Sequence, residues 1–245
     1  MIQVDKISKA YANESVLKQV SFSLEVNQTL SVLGKSGCGK TTLLKILAGL
    51  EQADSGCFLV NDYNIIGLPP QQREVVYLSQ EALLFPHMNV FENIAYGLKV
   101  RKLDKVLINS KTEEMLLQLD LQAHKNKMPH QLSGGQKQRV AFGRALIINP
   151  KIILLDEPFS SLDVQTREDI QNLFIQLRAK YNITALFVTH DLKEALKMGN
   201  QIARMEKGAL KLYESVSEFV QSPDSGVEKE IEFWKNLIDH QYEKK

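Results

Sequence analysis

A glycine-rich loop between a strand-like run and a helical run constrains the fold of this chain more than any other feature. Residues 29–33 read TLSVL, residues 34–42 read GKSGCGKTT, and residues 43–48 continue at helical spacing. In this order the glycines let backbone N–H groups converge on an anion, and the following helix adds the positive end of its dipole. The loop therefore predicts an α/β fold that binds phosphate groups.

This loop supplies most of the predicted nucleotide ligands. Lys40 is expected to reach the β- and γ-phosphates, and the Thr41 hydroxyl is expected to coordinate Mg²⁺. The pattern therefore predicts ATP and Mg²⁺ as cofactors. The predicted binding residues of the loop are Gly34, Lys35, Ser36, Gly37, Cys38, Gly39, Lys40, Thr41 and Thr42.

Apolar runs elsewhere in the chain extend the α/β prediction. Residues 2–7 and 20–26 alternate as half-buried strands do, and residues 74–78 form a further short run. Residues 151–155 and 183–188 are nearly continuous apolar runs, which is typical of parallel strands covered on both faces. Because helical patterns lie between these runs, the core is predicted to be α/β.

The middle of the chain has few strand signals. Residues 106–121 carry apolar side chains at helical spacing, and the stretch from Gln80 to Pro150 has the same character. We therefore predict a helical insertion of about residues 81–150.

A breaker cluster, SPDSG at residues 222–226, is expected to end the compact body. The compact domain is accordingly predicted as residues 1–225 and a helical tail as residues 226–245. Val227, Ile231, Trp234 and Ile238 fall on one helical face of that tail. This face either docks on its own domain or binds a partner.

Two acidic residues end one of the apolar runs. Asp156 and Glu157 follow residues 152–155 directly, which places both carboxylates at the carboxyl edge of a parallel sheet, beside the glycine-rich loop. Asp156 is suited to hold Mg²⁺ through water. Glu157 can take a proton from the attacking water or orient it.

A second anion-binding element is predicted at LSGGQ, residues 132–136. It presents a hydroxyl, bare glycine amides and the N-terminus of the helical stretch 137–146. Two phosphate-binding elements are redundant for one nucleotide unless the second serves the nucleotide of another copy. The predicted binding residues here are Ser133, Gly134, Gly135 and Gln136.

The order of these motifs resembles that of an ABC ATPase over nearly the whole chain. The resemblance implies a P-loop NTPase core with an N-terminal antiparallel β subdomain and an inserted α-helical subdomain. It also implies that the LSGGQ element of one subunit closes over ATP held by a second ATPase subunit. Hydrolysis would then require a head-to-tail dimer, expected here to be a homodimer.

Further roles follow from the resemblance alone. Gln80 corresponds to the glutamine that senses Mg²⁺ and the attacking water, and His190 to the histidine that contacts the γ-phosphate. Asp163 belongs to the loop that couples the two sites of the dimer. Tyr11 occupies the place where the family stacks an aromatic ring on adenine, although such a residue also serves in packing.

Composition limits which partners the chain is expected to bind and in which cell compartment it is expected to lie. Lys and Arg number 30 against 29 for Asp and Glu, and this near balance gives no field that favours nucleic acid, so no nucleic-acid partner is expected. The first residues do not read as a secretory signal, and no run approaches the roughly 18 apolar residues that span a bilayer. The chain is expected to be cytoplasmic, and its resemblance to ABC ATPases implies that a permease holds it at the inner face of the membrane. Cys38 and Cys57 are expected to be reduced.

The resemblance narrows further to importer ATPases. Residues 84–94, LFPHMNVFENI, resemble a segment of importers for sugars, polyamines, ferric iron, molybdate or sulfate, and thiamine. The resemblance to importer ATPases implies transmembrane permease subunits and an external solute-binding protein as partners. Phe85, Pro86 and Met88 either face the permease or pack the helical insertion. The chain is expected to lack the C-terminal regulatory domain of many such importers.

Two other functions share part of this pattern. A non-transport scaffold that dimerises on ATP and recruits a soluble partner would carry the same motifs. A phosphate-loop kinase would need an acceptor pocket and would have no use for residues 132–136.

Overall fold

A computed structural model of the chain describes residues 1–229, which form two β-sheets flanked by helices. The strands are β1 (Ile2–Tyr11), β2 (Glu14–Leu24), β3 (Thr29–Leu33), β4 (Ser55–Val60), β5 (Tyr63–Asn64), β6 (Val75–Leu78), β7 (Ile152–Asp156), β8 (Thr184–Thr189), β9 (Gln201–Glu206) and β10 (Ala209–Tyr213). The α-helices are α1 (Lys40–Ala48), α2 (Val90–Val100), α3 (Lys105–Gln118), α4 (Gly134–Leu146), α5 (Val164–Lys180), α6 (Leu192–Met198) and α7 (Val216–Gln221). Short 3₁₀ turns occur at Pro70–Gln72, Gln122–His124, Pro129–Gln131 and Pro223–Ser225.

The smaller sheet is antiparallel and comes from the N-terminal part of the chain. Its order is β2-β1-β4-β5. The register of β1 against β2 shifts between Val4 and Ile7, and Lys6 between them has a φ of 50°. This irregularity keeps both Val4 and Ile7 buried against the core.

The larger sheet has the order β10-β9-β3-β8-β7-β6, and five of its strands run parallel. β10 pairs antiparallel with β9 at one edge. The carboxyl ends of the parallel strands meet at one edge of a sheet, where ligands bind in open α/β folds. The segments that follow β3, β6, β7 and β8 therefore converge on one region.

Strand β7 is buried on both faces, which explains its continuous apolar sequence. Ile152 and Leu154 pack with α1 in one hydrophobic cluster. Ile153 and Leu155 pack with α4 and α5 in another. The α/β fold class, with an antiparallel sheet beside a largely parallel one, is thus confirmed.

Helices replace strands in the middle of the chain. Within the described residues no strand lies between β6 and β7, and α2, α3 and α4 occupy this stretch. Helix α4 starts at Gly134, three residues earlier than the sequence pattern indicates. The reason is that Ser133 caps it, accepting from the Gln136 amide at 3.3 Å while the Gln136 side chain accepts from the Ser133 amide at 3.0 Å. The domain bounds of 81–150 and 1–225 stay predictions.

The start of the predicted tail packs on the body of the protein. Val227 is buried in a cluster with Tyr213 and Phe219. The other apolar residues of the predicted face, Ile231, Trp234 and Ile238, lie outside the described residues. Across residues 1–229, every helix is too short or too polar to cross a bilayer.

Candidate nucleotide site

The phosphate loop, residues 34–42, connects β3 to α1 at the carboxyl edge of the larger sheet. Gly39 caps α1 with a φ of 110°, in the left-handed region that favours glycine. A Cβ at Gly39 would lie 2.8 Å from the carbonyl oxygen of Val16, so the backbone passes too close for a side chain. Gly34 is similarly confined, because a Cβ there would lie 2.6 Å from the carbonyl oxygen of Met205. These glycines let the loop curl tightly enough to present its amides inward.

Lys40 is held at the centre of this loop. Its side chain is buried, and its ammonium group donates to the carbonyl oxygens of Gly34 at 2.7 Å and Lys35 at 3.0 Å. The same nitrogen lies 3.5 Å from Oε1 of Glu157. The loop thus carries a positioned cation at the place where a phosphate chain would lie.

Of the three residues predicted at the metal site, Thr41 and Asp156 are in contact, whereas the Gln80 amide donates to Ser160. The Thr41 hydroxyl donates to Oδ1 of Asp156 at 3.1 Å, and the Tyr77 hydroxyl donates to Oδ2 at 2.8 Å. Hydroxyl and carboxylate oxygens are the ligands that Mg²⁺ prefers, and Mg²⁺ is commonly held by one carboxylate plus substrate phosphates. Because both oxygens sit beside the phosphate loop, this donor set fits Mg²⁺.

Glu157 follows β7 in an unusual backbone conformation. Its φ is 45°, and its amide donates to the carbonyl of Val188 at 3.1 Å. Positive φ is uncommon for a non-glycine residue and costs on the order of 1 kcal/mol. The turn brings Oε2 of Glu157 to 2.8 Å from Nδ1 of His190, which follows β8. The Glu157 carboxylate therefore lies between Lys40 and His190.

Gln80 joins the same region indirectly. Its amide nitrogen donates to the Ser160 hydroxyl at 3.1 Å, and Ser160 donates to the carbonyl oxygen of Glu157 at 3.0 Å. Ser160 was not among the predicted site residues. Its place just before the segment SLD at 161–163 is the signal that could have identified it.

Behind His190 lies a buried polar cluster that sequence reasoning also missed. Glu194 is buried and accepts from the Thr189 hydroxyl at 2.7 Å and from the Gln171 amide at 3.2 Å. Burial raises the pKa of the Glu194 carboxyl. Thr189 also accepts from the Asp191 amide at 3.0 Å, so both residues flanking His190 are fixed. This cluster holds the turn that carries His190 against α5 and α6.

The LSGGQ element and Asp163 form a separate cluster of two helix starts. Ser133 and Gln136 cap α4 by hydrogen bonds to each other, and Asp163 caps α5 by accepting from the Thr166 amide at 3.0 Å. Hydrogen bonds from the backbone amide and the side chain of Thr166 lower the pKa of the Asp163 carboxyl. A Cβ at Gly135 would lie 2.4 Å from a methyl carbon of Thr166, so the two helix starts pack closely. The side chains of Ser133, Gln136 and Asp163 thus form hydrogen bonds within their own helix caps. These bonds do not extend to the cluster of Lys40, Glu157 and His190.

A cavity of about 1060 Å³ opens beside the phosphate loop. It is lined by the turn between β1 and β2, the outer side of the loop, the turn between β9 and β10, and His190. Its volume suits a cofactor of nucleotide size. Tyr11 stands outside this lining: its ring is 45% exposed and lies 5.2 Å from the Lys9 ammonium. Stacking of Tyr11 on adenine stays a prediction.

The predicted permease-facing segment is hydrogen-bonded to α2 and partly packed. The buried Asn93 amide donates to the carbonyl oxygens of Phe85 at 3.2 Å and Met88 at 2.8 Å. The Phe85 ring lies 4.5 Å from the Tyr96 ring and 4.9 Å from the Arg144 guanidinium. Phe85 therefore packs within the helical region, while Pro86 is exposed.

Comparison with known proteins places this geometry in a family. A sequence profile described as ABC transporter matches residues 17–160, more than half of the chain. The spermidine/putrescine import ATP-binding protein PotA of Thermotoga maritima is 42% identical over 222 residues, covering 91% of this chain and 60% of the relative. The molybdate/tungstate import ATP-binding protein WtpC of Pyrococcus abyssi is 39% identical over 240 residues, covering 98% of this chain and 69% of the relative.

A solved structure gives the same result at the level of the fold. It is a dimeric ATP-binding cassette in a post-hydrolysis state bound to ADP and Pi, with a TM-score of 0.78 at 29% identity, covering 88% of this chain and 99% of the other. The chain spans about 60% of the length of several curated relatives that it matches. Since the profile covers the phosphate loop and the two acids at the end of β7, and the relatives align over most of the chain, the chain belongs to the ABC transporter family.

Proposed function

We propose that the chain is the ATP-binding and ATP-hydrolysing subunit of an ABC importer. The observation that carries this proposal is the Glu157 carboxylate, which lies 3.5 Å from the Lys40 ammonium and 2.8 Å from the His190 ring. A carboxylate there stands beside the γ-phosphate end of a nucleotide that Lys40 binds. The relatives' names, which describe import ATP-binding proteins, support the same function.

Each residue of the site has a separate role in the binding and hydrolysis of ATP. The amides of the phosphate loop and Lys40 bind and orient the β- and γ-phosphates. Glu157 accepts a proton from the attacking water or orients it, and His190 holds the Glu157 carboxylate and contacts the γ-phosphate. Gln80 senses the attacking water and the metal, and it is linked to the Glu157 segment by its hydrogen bond to Ser160. The roles of Gln80 and His190 rest on the family resemblance together with their contacts to the Glu157 segment.

Thr41 and Asp156 would hold Mg²⁺ in this site. When bound, the ion would neutralise negative charge that develops on the phosphate oxygens during transfer. The chain's own contribution is to keep the Thr41 hydroxyl and the Asp156 carboxylate adjacent, at 3.1 Å.

The site is completed by a second copy. Within one chain, the caps formed by Ser133 and Asp163 are separate from the cluster around Lys40. A head-to-tail homodimer brings the LSGGQ element of one copy over the nucleotide bound by the other, and its N-terminal amides bind the γ-phosphate. The solved relative, which is dimeric and bound to ADP and Pi, supports the assembly of two copies.

The membrane partner docks on the segment that follows β6, from Gln80 to Ile94. Closure of the dimer moves this segment and rearranges permease subunits, while an external solute-binding protein delivers the solute. The chain acts on the cytoplasmic face of the membrane and uses no nucleic acid. The solute is selected by those partners, since the relatives are named for organic polycations in one case and for oxyanions in the other.

The decisive test is Glu157→Gln, which keeps the side-chain shape and removes the carboxylate charge. We expect ATP binding to persist, hydrolysis to fall by at least about 100-fold, and an ATP-bound dimer to accumulate, as measured by phosphate release and size-exclusion chromatography. Glu92→Gln, at the start of α2, is the matched control. Normal turnover by Glu157→Gln would contradict the proposed role. Recovery from detergent-solubilised membranes with a multi-helix subunit would separate a transporter from a scaffold.

A further inference from the structure

The Asp156 carboxylate is held at both of its oxygens. Oδ1 accepts from the Thr41 hydroxyl at 3.1 Å, and Oδ2 accepts from the Tyr77 hydroxyl at 2.8 Å. The residue is only 6% exposed, so these two donors account for much of its polar environment. Without the tyrosine hydroxyl, the carboxylate could rotate away from Thr41.

The register of the sheet explains why Tyr77 reaches Asp156. Tyr77 pairs with Leu154 in the parallel ladder of β6 and β7. Asp156 is two residues beyond Leu154, and alternate residues of a strand point to the same face. Tyr77 packs in the cluster that contains Leu154 and the buried leucines of α1, so its ring lies on the face that carries the phosphate-loop helix. The ring is thereby clamped, and its hydroxyl points along the strand toward Asp156.

The hydroxyl is suited to orient this carboxylate without neutralising it. The Tyr77 hydroxyl donates to Oδ2 of Asp156 at 2.8 Å, and a carboxylate oxygen can only accept. A lysine or arginine at the same place would place a positive charge beside the metal. A neutral donor fixes the rotamer and leaves the carboxylate charge to the cation.

We propose that Tyr77 is a positioning residue for the Mg²⁺ that accompanies ATP, acting by locking Asp156 so that Oδ1 faces Thr41. The proposal rests on the proposed function and deepens it, because it assigns to this chain a residue outside the recognised motifs. Partners of metal-binding carboxylates typically contribute roughly 10- to 100-fold to metal affinity or activity. Tyr77 acts on metal-dependent binding and leaves metal-free nucleotide binding to the phosphate loop.

The test compares nucleotide affinity with and without the metal. The dissociation constant of the non-hydrolysable analogue adenylyl imidodiphosphate is measured by isothermal titration calorimetry for the whole chain, once in excess Mg²⁺ and once in EDTA. For Tyr77→Phe we expect an unchanged dissociation constant in EDTA and a loss of roughly tenfold in the affinity that Mg²⁺ adds. Tyr213→Phe is the matched control, because its buried hydroxyl has no hydrogen-bond partner among residues 1–229.

A double-mutant cycle shows whether the effect passes through Asp156. In an Asp156→Asn background, Tyr77→Phe should add no further loss of the Mg²⁺-dependent gain. Tyr77→Met, which keeps an apolar side chain of similar length, is the second variant if Tyr77→Phe does not fold.

Three results would overturn the proposal. An unchanged Mg²⁺ gain in Tyr77→Phe would show that the hydroxyl is irrelevant to the metal. Equal weakening with and without Mg²⁺ would indicate damage to the loop, and an undiminished effect in the Asp156→Asn background would exclude Asp156 as the intermediary. If the wild-type chain fails to bind the analogue in either condition, the proposed function itself falls, and that outcome is distinct from the other three.

Discussion

Gly39 has a backbone conformation that ordinary side chains tolerate poorly. Its φ is 110°, and a Cβ would lie 2.8 Å from the carbonyl oxygen of Val16 and 2.9 Å from a methyl carbon of Leu17. The two obstacles belong to β2, which packs directly behind the phosphate loop. The loop can therefore keep its shape only while this position carries no side chain.

We predict that Gly39→Ala lowers the free energy of unfolding by about 1–3 kcal/mol and weakens ATP binding at least tenfold, because the loop must shift away from β2. Urea unfolding and calorimetric ATP titration measure the two effects. Gly67→Ala is the control, since a Cβ there meets open space and its φ is ordinary. Equal behaviour of the two variants would contradict the strain argument.

Among single residues, the sequence predicts the role of those that belong to a local sequence motif. Lys40, Thr41, Asp156 and Glu157 each sit in a local motif, and the structure places them in one cluster. Tyr77 and Glu194 escape prediction because their partners come from other elements. A tyrosine in an apolar strand and a glutamate in a helix look ordinary until the sheet register and helix packing are known.

Among the elements, α1 depends on a cation from outside the helix. Arg73 is buried, and its guanidinium donates to the carbonyl oxygens of Ile46 at 2.6 Å and Leu47 at 3.1 Å, in the last turn of α1. It also donates to the carbonyl of Leu68 at 2.7 Å and to that of Ile66. Burial lowers the pKa of this guanidinium, although arginine remains charged. Among residues 1–229, the group donates to carbonyls of which only that of Ile46 has a second donor, the Gly49 amide, and it complements the negative end of the helix dipole.

Arg73→Met should therefore destabilise the protein by about 3 kcal/mol, since it leaves several buried carbonyl groups without donors. Chemical denaturation gives the magnitude. Lys45→Met, on the exposed face of the same helix, should change stability by less than about 0.5 kcal/mol. A similar small change in both variants would mean that water replaces the arginine at the end of α1.

The bounds of some strands and helices can be predicted from the sequence better than those of others. β7 and β8 are predicted well because both of their faces are buried, so apolar residues run without interruption. The start of α4 is predicted too late because glycines are poor helix formers, and the reciprocal cap of Ser133 and Gln136 overrides that preference. The irregular register of β1 has no local signal, since it is set by pairing with β2 and β4.

At the scale of the whole molecule, the phosphate loop and the predicted LSGGQ element lie at the starts of two different helices, α1 and α4. The phosphate loop gathers Lys40, Glu157 and His190, whereas Ser133 and Asp163 cap two helices packed against each other. In the proposed head-to-tail homodimer, two-fold symmetry makes both contacts equivalent, so each copy would present its LSGGQ element to the phosphate loop of the other. The sequence indicates both elements, but which copy each one serves depends on assembly.

This symmetry predicts complementation between two inactive variants. Lys40→Met disables the loop, and Ser133→Arg places a bulky cation in the LSGGQ element, so each homodimer should lose hydrolysis. In a mixed dimer, the intact loop of the Ser133→Arg copy faces the intact LSGGQ element of the Lys40→Met copy. Equal mixing should therefore restore up to roughly a quarter of wild-type phosphate release, since half of the dimers hold one intact site of two.

A chain that carries both Lys40→Met and Ser133→Arg is the control. It shows whether phosphate release from the mixture comes from intact shared sites or from residual activity of the damaged ones. The doubly substituted chain cannot form an intact site with itself or with either single variant, so all three combinations should stay inactive. If each site were built within one chain, mixing the single variants would restore nothing, because each copy would carry a damaged site. Phosphate release from the mixture thus reports whether the second anion-binding element acts on its own chain's nucleotide or on its partner's.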